Sequence, residues 1–164
     1  MPKKKRVLIV MGVSGSGKSL VGALLAEALG LPFYDGDDFH PAENIAKMAS
    51  GRPLDDHDRK GWLTALNQLA LEHRKKGAVI ACSALKKQHR ALLRAGLGDS
   101  MVFIHLNGSY ELIKARLEAR SAHFMPIGLL QSQFDALEPP LDAVTVSIAQ
   151  QPREIIDEIL MRLR

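Results

Sequence analysis

The sequence contains one cysteine, Cys82, in 164 residues. A single cysteine excludes a disulfide framework and any metal site built from several cysteines. Cys82 itself follows a run of apolar residues and is interpreted as a buried strand residue, because free cysteine packs as a small hydrophobe. A chain of 164 residues is long enough to bury an ordinary hydrophobic core without disulfides. The sequence therefore indicates one domain of about average size.

Long hydrophobic runs are also missing. The longest apolar run near the start, from Val7 to Met11, has five residues and is far too short to span a membrane. It also lacks the apolar segment and the small-residue cleavage site of a secretory signal peptide. No internal repeat, low-complexity segment or linker is found. We therefore expect a cytoplasmic protein with no membrane partner.

Excess charge is confined to one end of the chain. The formal net charge is +4, and the four consecutive basic residues Lys3 to Arg6 account for it. Such a run is compatible with a nucleic-acid patch, but charge runs at termini are commonly solvated. We interpret residues 1–6 as a disordered leader and consider a nucleic-acid partner the weaker alternative. Residues 7–164 are then predicted to form one domain.

Apolar runs alternate with helical patterns along this domain, which predicts an α/β fold with a five-stranded parallel sheet flanked by helices. The predicted strands are 7–11, 31–34, 78–82, 101–106 and 143–148. The predicted helices are 20–29, 41–49, a long helix within 55–76, 86–95, 109–120 and 152–163. Two segments, 49–58 and 121–128, fit neither pattern and are candidates for substrate loops or lids.

A phosphate-binding motif follows the first predicted strand. Residues 12–19 match G-x-x-x-x-G-K-[ST] at every fixed position and open the first predicted helix. Glycines let the backbone amides and the helix N-terminus surround a phosphate. Lys18 is expected to reach the β- and γ-phosphates, and the Ser19 hydroxyl to bind Mg²⁺. The complete predicted nucleotide loop is Gly12, Val13, Ser14, Gly15, Ser16, Gly17, Lys18 and Ser19.

An acidic turn follows the second predicted strand. Asp35 and Asp37 stand two residues apart at the carboxyl end of that strand, where open α/β sheets bind ligands. One carboxylate is suited to the metal and the other to an acceptor hydroxyl. The base-recognition motif Asn-Lys-x-Asp of a GTPase is missing, and so is the Asp-Glu pair of a motor ATPase after the third strand. A kinase acting on a small molecule is therefore the favoured class.

The later motifs identify a family. They are Asp35-Gly36-Asp37-Asp38-Phe39-His40-Pro41, Asn44, Lys47-Met48, residues 51–54 and 56–59, Trp62-Leu63, residues 81–86 with Arg90, Arg116-Leu117, Arg120, residues 123–126, Gln133-Phe134 and Leu137-Glu138. Together with the phosphate loop, this pattern resembles the small gluconate kinases, relatives of shikimate kinase in the nucleoside-monophosphate-kinase-like group of P-loop proteins. The resemblance covers residues 7–152.

The resemblance implies ATP- and Mg²⁺-dependent phosphorylation of the C6 hydroxyl of D-gluconate. It implies that Asp35 lies on the metal side and that Asp37 faces the acceptor hydroxyl. It places Arg59 on the substrate carboxylate. His40, Ser83 and Lys86 are further substrate-binding candidates, although His40 could instead cap a helix and Lys86 could be solvated. Another small-molecule acceptor, shikimate-like or nucleotide-like, is the alternative substrate class.

The remaining implications of the resemblance concern the nucleotide. The family has a lid at residues 121–128, and Arg120 is the favoured arginine to neutralise the transferring phosphoryl group. Arg116 is a second candidate, four residues earlier on the same helix face. Gln151 and Pro152 correspond to the position at which relatives hold adenine. Relatives also suggest a homodimer.

Overall fold

The computed structural model describes residues 5–119 and 127–164. Its strands are β1 (Val7–Met11), β2 (Phe33–Asp35), β3 (Ala78–Ala81), β4 (Met101–Asn107) and β5 (Val144–Ser147). Its α-helices are α1 (Lys18–Leu29), α2 (Ala42–Ala49), α3 (Asp56–Glu72), α4 (Lys87–Arg94), α5 (Tyr110–Ala119), α6 (Ile127–Ala136) and α7 (Pro152–Arg162). Short 3-10 turns cover Gly36–Phe39 and Gly98–Ser100.

The five strands form one parallel sheet in the order β2-β3-β1-β4-β5. This confirms the predicted fold class. β1 is central, and all five of its residues are buried, as its continuous apolar sequence requires. The connection that leaves β1 leads toward the edge strand β2, whereas the connection that leaves its neighbour β4 leads toward the opposite edge strand β5. Ligands of open α/β sheets bind at the carboxyl ends of strands beside such a point.

Successive strand residues point to opposite faces of the sheet, and the core divides accordingly. Leu8 and Val10 of β1 pack with α1, α5 and α7, whereas Val7, Ile9 and Met11 pack with α3 and α4. Helices on both faces hold the strand ends in place. Within the described residues, no helix is both long and apolar enough to cross a membrane.

Several helix ends agree with the signals in the sequence. Gly30 ends α1 with a φ of 67°, a left-handed conformation that glycine adopts without strain. The Ser109 hydroxyl accepts a hydrogen bond from the Leu112 amide at 3.1 Å and so caps α5. Asp55 and Asp58 form a reciprocal capping box at the start of α3. This box fixes the direction in which the first turn of α3 leaves the preceding loop.

Helix α6 was not predicted. Ile127 and Gly128, at the end of the predicted lid, lie in the first turn of this helix and not in a loop. Residues 121–126, the rest of that predicted segment, lie outside the described part of the chain, as do residues 1–4 of the predicted leader. The last residue of the leader, Arg6, donates a hydrogen bond to the Leu163 carbonyl at 3.0 Å.

Candidate active site

The phosphate loop connects the carboxyl end of β1 to the N-terminus of α1. Its glycines at 15 and 17 have φ values of +81° and +95°, which side chains with a Cβ rarely adopt. The Lys18 ammonium folds over the loop and donates to the carbonyls of Gly12 at 3.0 Å and Val13 at 3.1 Å. The loop is thereby curled around the lysine side chain.

Hydrogen-bond donors of this loop are available to an anion. The first amides of α1 have no acceptor within the helix, and they carry its positive dipole end. The Ser16 hydroxyl is buried and has no hydrogen-bond partner among the described residues. A buried donor without a partner is costly unless a ligand satisfies it. The loop therefore fits a polyphosphate.

Ser19 and Asp35 form a pair of oxygen ligands beside the loop. The Ser19 hydroxyl donates to Asp35 Oδ2 at 2.6 Å, and the other carboxylate oxygen accepts from the Asp37 amide at 3.0 Å. Within residues 5–119 and 127–164, no group of three or more His, Cys, Asp or Glu side chains is placed to hold a metal. Mg²⁺ keeps several waters and binds through one or two carboxylates. The Ser19–Asp35 pair therefore fits Mg²⁺.

Gly36 allows the acidic turn to lie against the sheet. A Cβ at this position would clash with the backbone oxygen of Ala81 at the end of β3. The Gly36 carbonyl in turn accepts a hydrogen bond of 2.7 Å from the Trp62 indole nitrogen. The turn is therefore fixed from both sides, and the Asp37 carboxylate next to it is held near Lys18.

Asp37 and Lys18 influence each other electrostatically. Partial desolvation by the surrounding protein raises the pKa of Asp37, and the Lys18 charge opposes that rise. Burial lowers the pKa of Lys18, and the Asp37 charge is the main opposing effect. A carboxylate whose pKa is raised is a stronger base at neutral pH than an exposed one. The pair thus combines a cation for phosphate with an acceptor for a proton.

His40 and Arg59 form the other side of the site. The His40 ring stacks on Trp62 with ring centroids 4.0 Å apart and planes 17° apart. Burial, together with the Arg59 charge, lowers the pKa of His40 to about 4. Burial also lowers the pKa of Arg59, and the carboxylates of Asp56, Asp58 and Asp55 oppose that shift. His40 is therefore neutral at pH 7, whereas Arg59 stays charged.

These groups line one cavity of about 280 Å³. Of the residues predicted for the site, the cavity brings together Ser14, Lys18, Asp37, His40, Arg59 and Ser83. Ser83 follows β3, and its carbonyl accepts a hydrogen bond from the Gly12 amide at 3.3 Å. The cavity therefore joins the phosphate loop to the acidic turn and to the start of α3.

Lys86 is not brought into this cavity. It precedes α4, and its ammonium lies 3.3 Å from a carboxylate oxygen of Asp56. Ala84, two residues earlier, has a φ of +45°, and this tight turn leads the chain away from the end of β3. Lys86 lines a separate, more open cleft on the protein surface.

A second group of predicted nucleotide-binding residues lies near the edge strand β5. Arg116 donates to the Ile148 carbonyl at 2.6 Å, in the connection that leads from β5 to Gln151 and Pro152. Gln151 is the N-cap residue of α7, and Pro152 is its first residue. Arg116 is therefore held against the segment predicted to contact adenine. Arg120 lies outside the described residues.

Helices α2 and α6 supply cavity walls that the residue-by-residue interpretation missed. Ile45 and Met48 of α2 line the cavity, and so do Leu129, Ser132 and Gln133 of α6. The side-chain oxygen Oε1 of Gln133 accepts a hydrogen bond of 2.7 Å from the backbone amide of Ser14 in the phosphate loop. The recurrence of Leu130, Phe134 and Leu137 at i, i+4 and i+7 was the signal for this helix.

The parallel sheet, the phosphate loop and the adjoining cavity define a P-loop kinase of small molecules. The family model described as shikimate kinase matches residues 14–164. A probable gluconokinase from Rattus norvegicus is 46% identical over 96% of this chain and 97% of its own. The thermosensitive gluconokinase of Escherichia coli is 52% identical over 80% of this chain and 71% of its own. A solved gluconokinase structure from Sinorhizobium meliloti superposes with a TM-score of 0.90 at 43% identity, covering 98% of this chain and 93% of that one.

The chain belongs to the gluconokinase family, within the larger shikimate kinase group. This confirms the resemblance inferred from the sequence motifs.

Proposed function

We propose that the protein transfers the γ-phosphoryl group of ATP to the C6 hydroxyl of D-gluconate, giving ADP and 6-phosphogluconate. The observation that carries this proposal is the cavity that joins Lys18 of the phosphate loop to Asp37 and Arg59. Lys18 supplies a cation for phosphate, Asp37 a base for a hydroxyl and Arg59 a cation for a carboxylate. These three groups match the reacting or charged parts of the two substrates. The gluconokinase relatives support the same acceptor.

Residues 12–19 bind the phosphates of ATP in this proposal. Lys18 places its charge on the oxygens around the transferred phosphorus, and the loop amides hold the β-phosphate. Ser19 and Asp35 hold Mg²⁺, which when bound neutralises negative charge on the phosphates. Phosphoryl transfer requires little covalent help from the protein, so positioning and charge neutralisation account for most of the rate.

Asp37 orients the acceptor hydroxyl and takes its proton. The bond between the C6 oxygen and the γ-phosphorus forms while the bond from that phosphorus to the β,γ-bridging oxygen breaks. The hydroxyl proton passes to the Asp37 carboxylate, whose raised pKa favours its acceptance. Lys18 beside it keeps the carboxylate ionised before the transfer.

Arg59 binds the carboxylate at the other end of gluconate. A guanidinium presents two parallel donors to a carboxylate, which a lysine cannot do. His40 and Ser83 line the same cavity and bind hydroxyl groups between the two ends. Lys86 has no part in this assignment, since it is paired with Asp56 outside the cavity.

Arg120, Arg116, Gln151 and Pro152 complete the proposed nucleotide site. Arg120 is assigned from the family pattern to neutralise the transferring phosphoryl group, and Arg116 is the second candidate for that role. Gln151 and Pro152 are assigned to adenine, supported by the contact of Arg116 with the same connection. We also propose that the protein works in the cytoplasm and that it forms a homodimer. Light scattering of the purified protein tests the homodimer directly.

Formation of ADP with D-gluconate as the only acceptor tests the function. We expect turnover with gluconate and a phosphomonoester on a CH₂ carbon, seen by ³¹P NMR. The matched control is 6-deoxy-D-gluconate, which lacks the reacting hydroxyl and should inhibit without being phosphorylated. Turnover on shikimate or a nucleoside monophosphate, with none on gluconate, would instead establish the alternative substrate class.

A further inference from the structure

We propose that Asn44 is a positioning residue that fixes the proton of the His40 imidazole on Nε2, directed toward the acceptor hydroxyl. The proposal rests on the proposed function in one respect: the hydroxyl is taken to lie beside Asp37 and His40. The state of the imidazole itself depends only on the contacts described next.

The Asn44 side chain has one possible orientation. It is buried on α2, with 4% of its surface exposed. Its Nδ2 atom lies 2.9 Å from the backbone oxygen of Asp58, which only accepts hydrogen bonds. The amide nitrogen, and not the amide oxygen, must therefore face Asp58. The same nitrogen lies 3.2 Å from His40 Nδ1.

This orientation determines which nitrogen of His40 is protonated. The second hydrogen of the Asn44 amide points at Nδ1, so Nδ1 must be the acceptor of that hydrogen bond. A neutral imidazole has one proton, which then resides on Nε2. Burial and the Arg59 charge keep the ring neutral by lowering its pKa to about 4.

The ring plane is fixed as well. It stacks on Trp62, and Trp62 is itself held by the hydrogen bond from its indole nitrogen to Gly36. The His40 side chain is 4% exposed. Rotation of the ring out of this plane would break the stacking, and a 180° flip within the plane would place a carbon instead of Nδ1 beside the Asn44 amide and lose that hydrogen bond. The Nε2–H group therefore has one direction, which is toward Asp37.

His40 Nε2 and Asp37 Oδ1 are 4.0 Å apart. This is too far for a direct hydrogen bond, but an oxygen about 2.8 Å from both atoms fits between them. A hydroxyl there accepts from His40 and donates its proton to Asp37, while its second lone pair is left for the phosphorus. With the proton on Nδ1 instead, two acceptors would compete for the one hydroxyl proton.

Asn67 provides a matched control. It is also buried, and its Nδ2 donates to the backbone oxygens of Leu93 at 2.8 Å and Ala95 at 2.9 Å. It thus ties α3 to α4 as Asn44 ties α2 to α3, but among the described residues its side chain forms no hydrogen bond with a histidine. A purely structural asparagine would behave like Asn67.

The first test is the tautomer of His40 in the ligand-free wild-type protein. Long-range ¹H–¹⁵N correlation NMR distinguishes a protonated ring nitrogen from an unprotonated one, and the His40→Gln spectrum assigns the signals. We expect Nε2 to be protonated and Nδ1 unprotonated at pH 7. A proton on Nδ1 would overturn the proposal. No substrate is present, so the result is independent of which acceptor the enzyme uses.

The second test compares Asn44→Asp with Asn67→Asp. A carboxylate at position 44 accepts a hydrogen bond, so it should draw a proton to His40 Nδ1 and lower kcat by about tenfold or more, as for loss of one aligned donor. The gluconate KM should change less than kcat. Asn67→Asp should lower thermal stability and leave both kcat and the His40 spectrum unchanged. The proposal is contradicted if His40 keeps its proton on Nε2 in Asn44→Asp, or if the two variants lose kcat equally. The wild-type spectrum decides the matter alone if Asn44→Asp does not fold.

Discussion

Replacement of Arg59 by alanine tests the assignment of the substrate carboxylate. Arg59 lies in the first turn of α3 and lines the cavity. No hydrogen bond or ion pair of its side chain is found among residues 5–119 and 127–164. The nearby carboxylates of Asp55, Asp56 and Asp58 keep the guanidinium charged against the effect of burial on its pKa. The guanidinium is therefore a charged group with donors available to a ligand.

The size of the effect follows from the chemistry of that contact. Hydrogen bonds to charged groups contribute about 1.5–3 kcal/mol each, and a bidentate pair has two. Water replaces part of the loss in the alanine variant, so we take about 3 kcal/mol as the net cost. Since about 1.4 kcal/mol is a factor of ten, the gluconate KM should rise by about a hundredfold. The carboxylate is remote from C6 and is bound alike before and during transfer, so kcat should change by less than about fivefold.

The assay measures ADP release with D-gluconate and with D-glucitol, which has a neutral CH₂OH group where gluconate has its carboxylate. The wild-type enzyme should prefer gluconate strongly, and Arg59→Ala should lose most of that preference. Arg52→Ala is the control, because it removes one positive charge from the exposed loop before α3 without touching the cavity. Equal losses of kcat/KM on both acceptors would refute the carboxylate assignment, and so would a lower kcat with an unchanged KM.

Three further predictions concern the catalytic pair and its neighbour. Lys18→Ala should lower kcat by at least about a hundredfold in the folded variant, measured by ADP release, because charge neutralisation is the main catalytic effect. Asp37→Asn should lower kcat far more than it changes the gluconate KM; a changed KM alone would reassign Asp37 to binding. The lowered pKa of His40, about 4, means that the unfolded chain binds more protons than the folded one between pH 6.5 and 4. The free energy of unfolding should therefore decrease as the pH falls through this range, and the decrease should be smaller in His40→Gln by denaturant titration.

The phosphate loop and the sheet could be predicted because their signals are local. A strand buried on both faces needs a continuous apolar run, and Val7 to Met11 provides one. The loop at residues 12–19 could be predicted because its backbone needs positive φ values, which place glycines at fixed positions in the sequence. The acidic turn was predicted for the same reason, since Asp35 and Asp37 stand directly at a strand end.

Contacts between distant segments could not be predicted in this way. Trp62 is buried in the core, but one face of its ring also stacks on His40, a contact between residues 22 positions apart. The pairing of Lys86 with Asp56 depends on how α3 and α4 pack, which no local pattern states. Helix α6 was missed because Gly128 near its start was interpreted as part of a loop.

The two halves of the cavity come from different parts of the chain. Lys18 and the other residues proposed to bind phosphate come from the segment 12–19, whereas Asp37, His40 and Arg59 come from the segment 35–59, which is attached to the sheet through Gly36 and Trp62. In the proposed function, the phosphate donor and the acceptor are thus recognised by separable units of sequence. A new acceptor specificity can be selected from libraries confined to the second segment, with the phosphate loop left intact. Gly36 and Trp62 should be held constant in such libraries, because they set the distance between the two units.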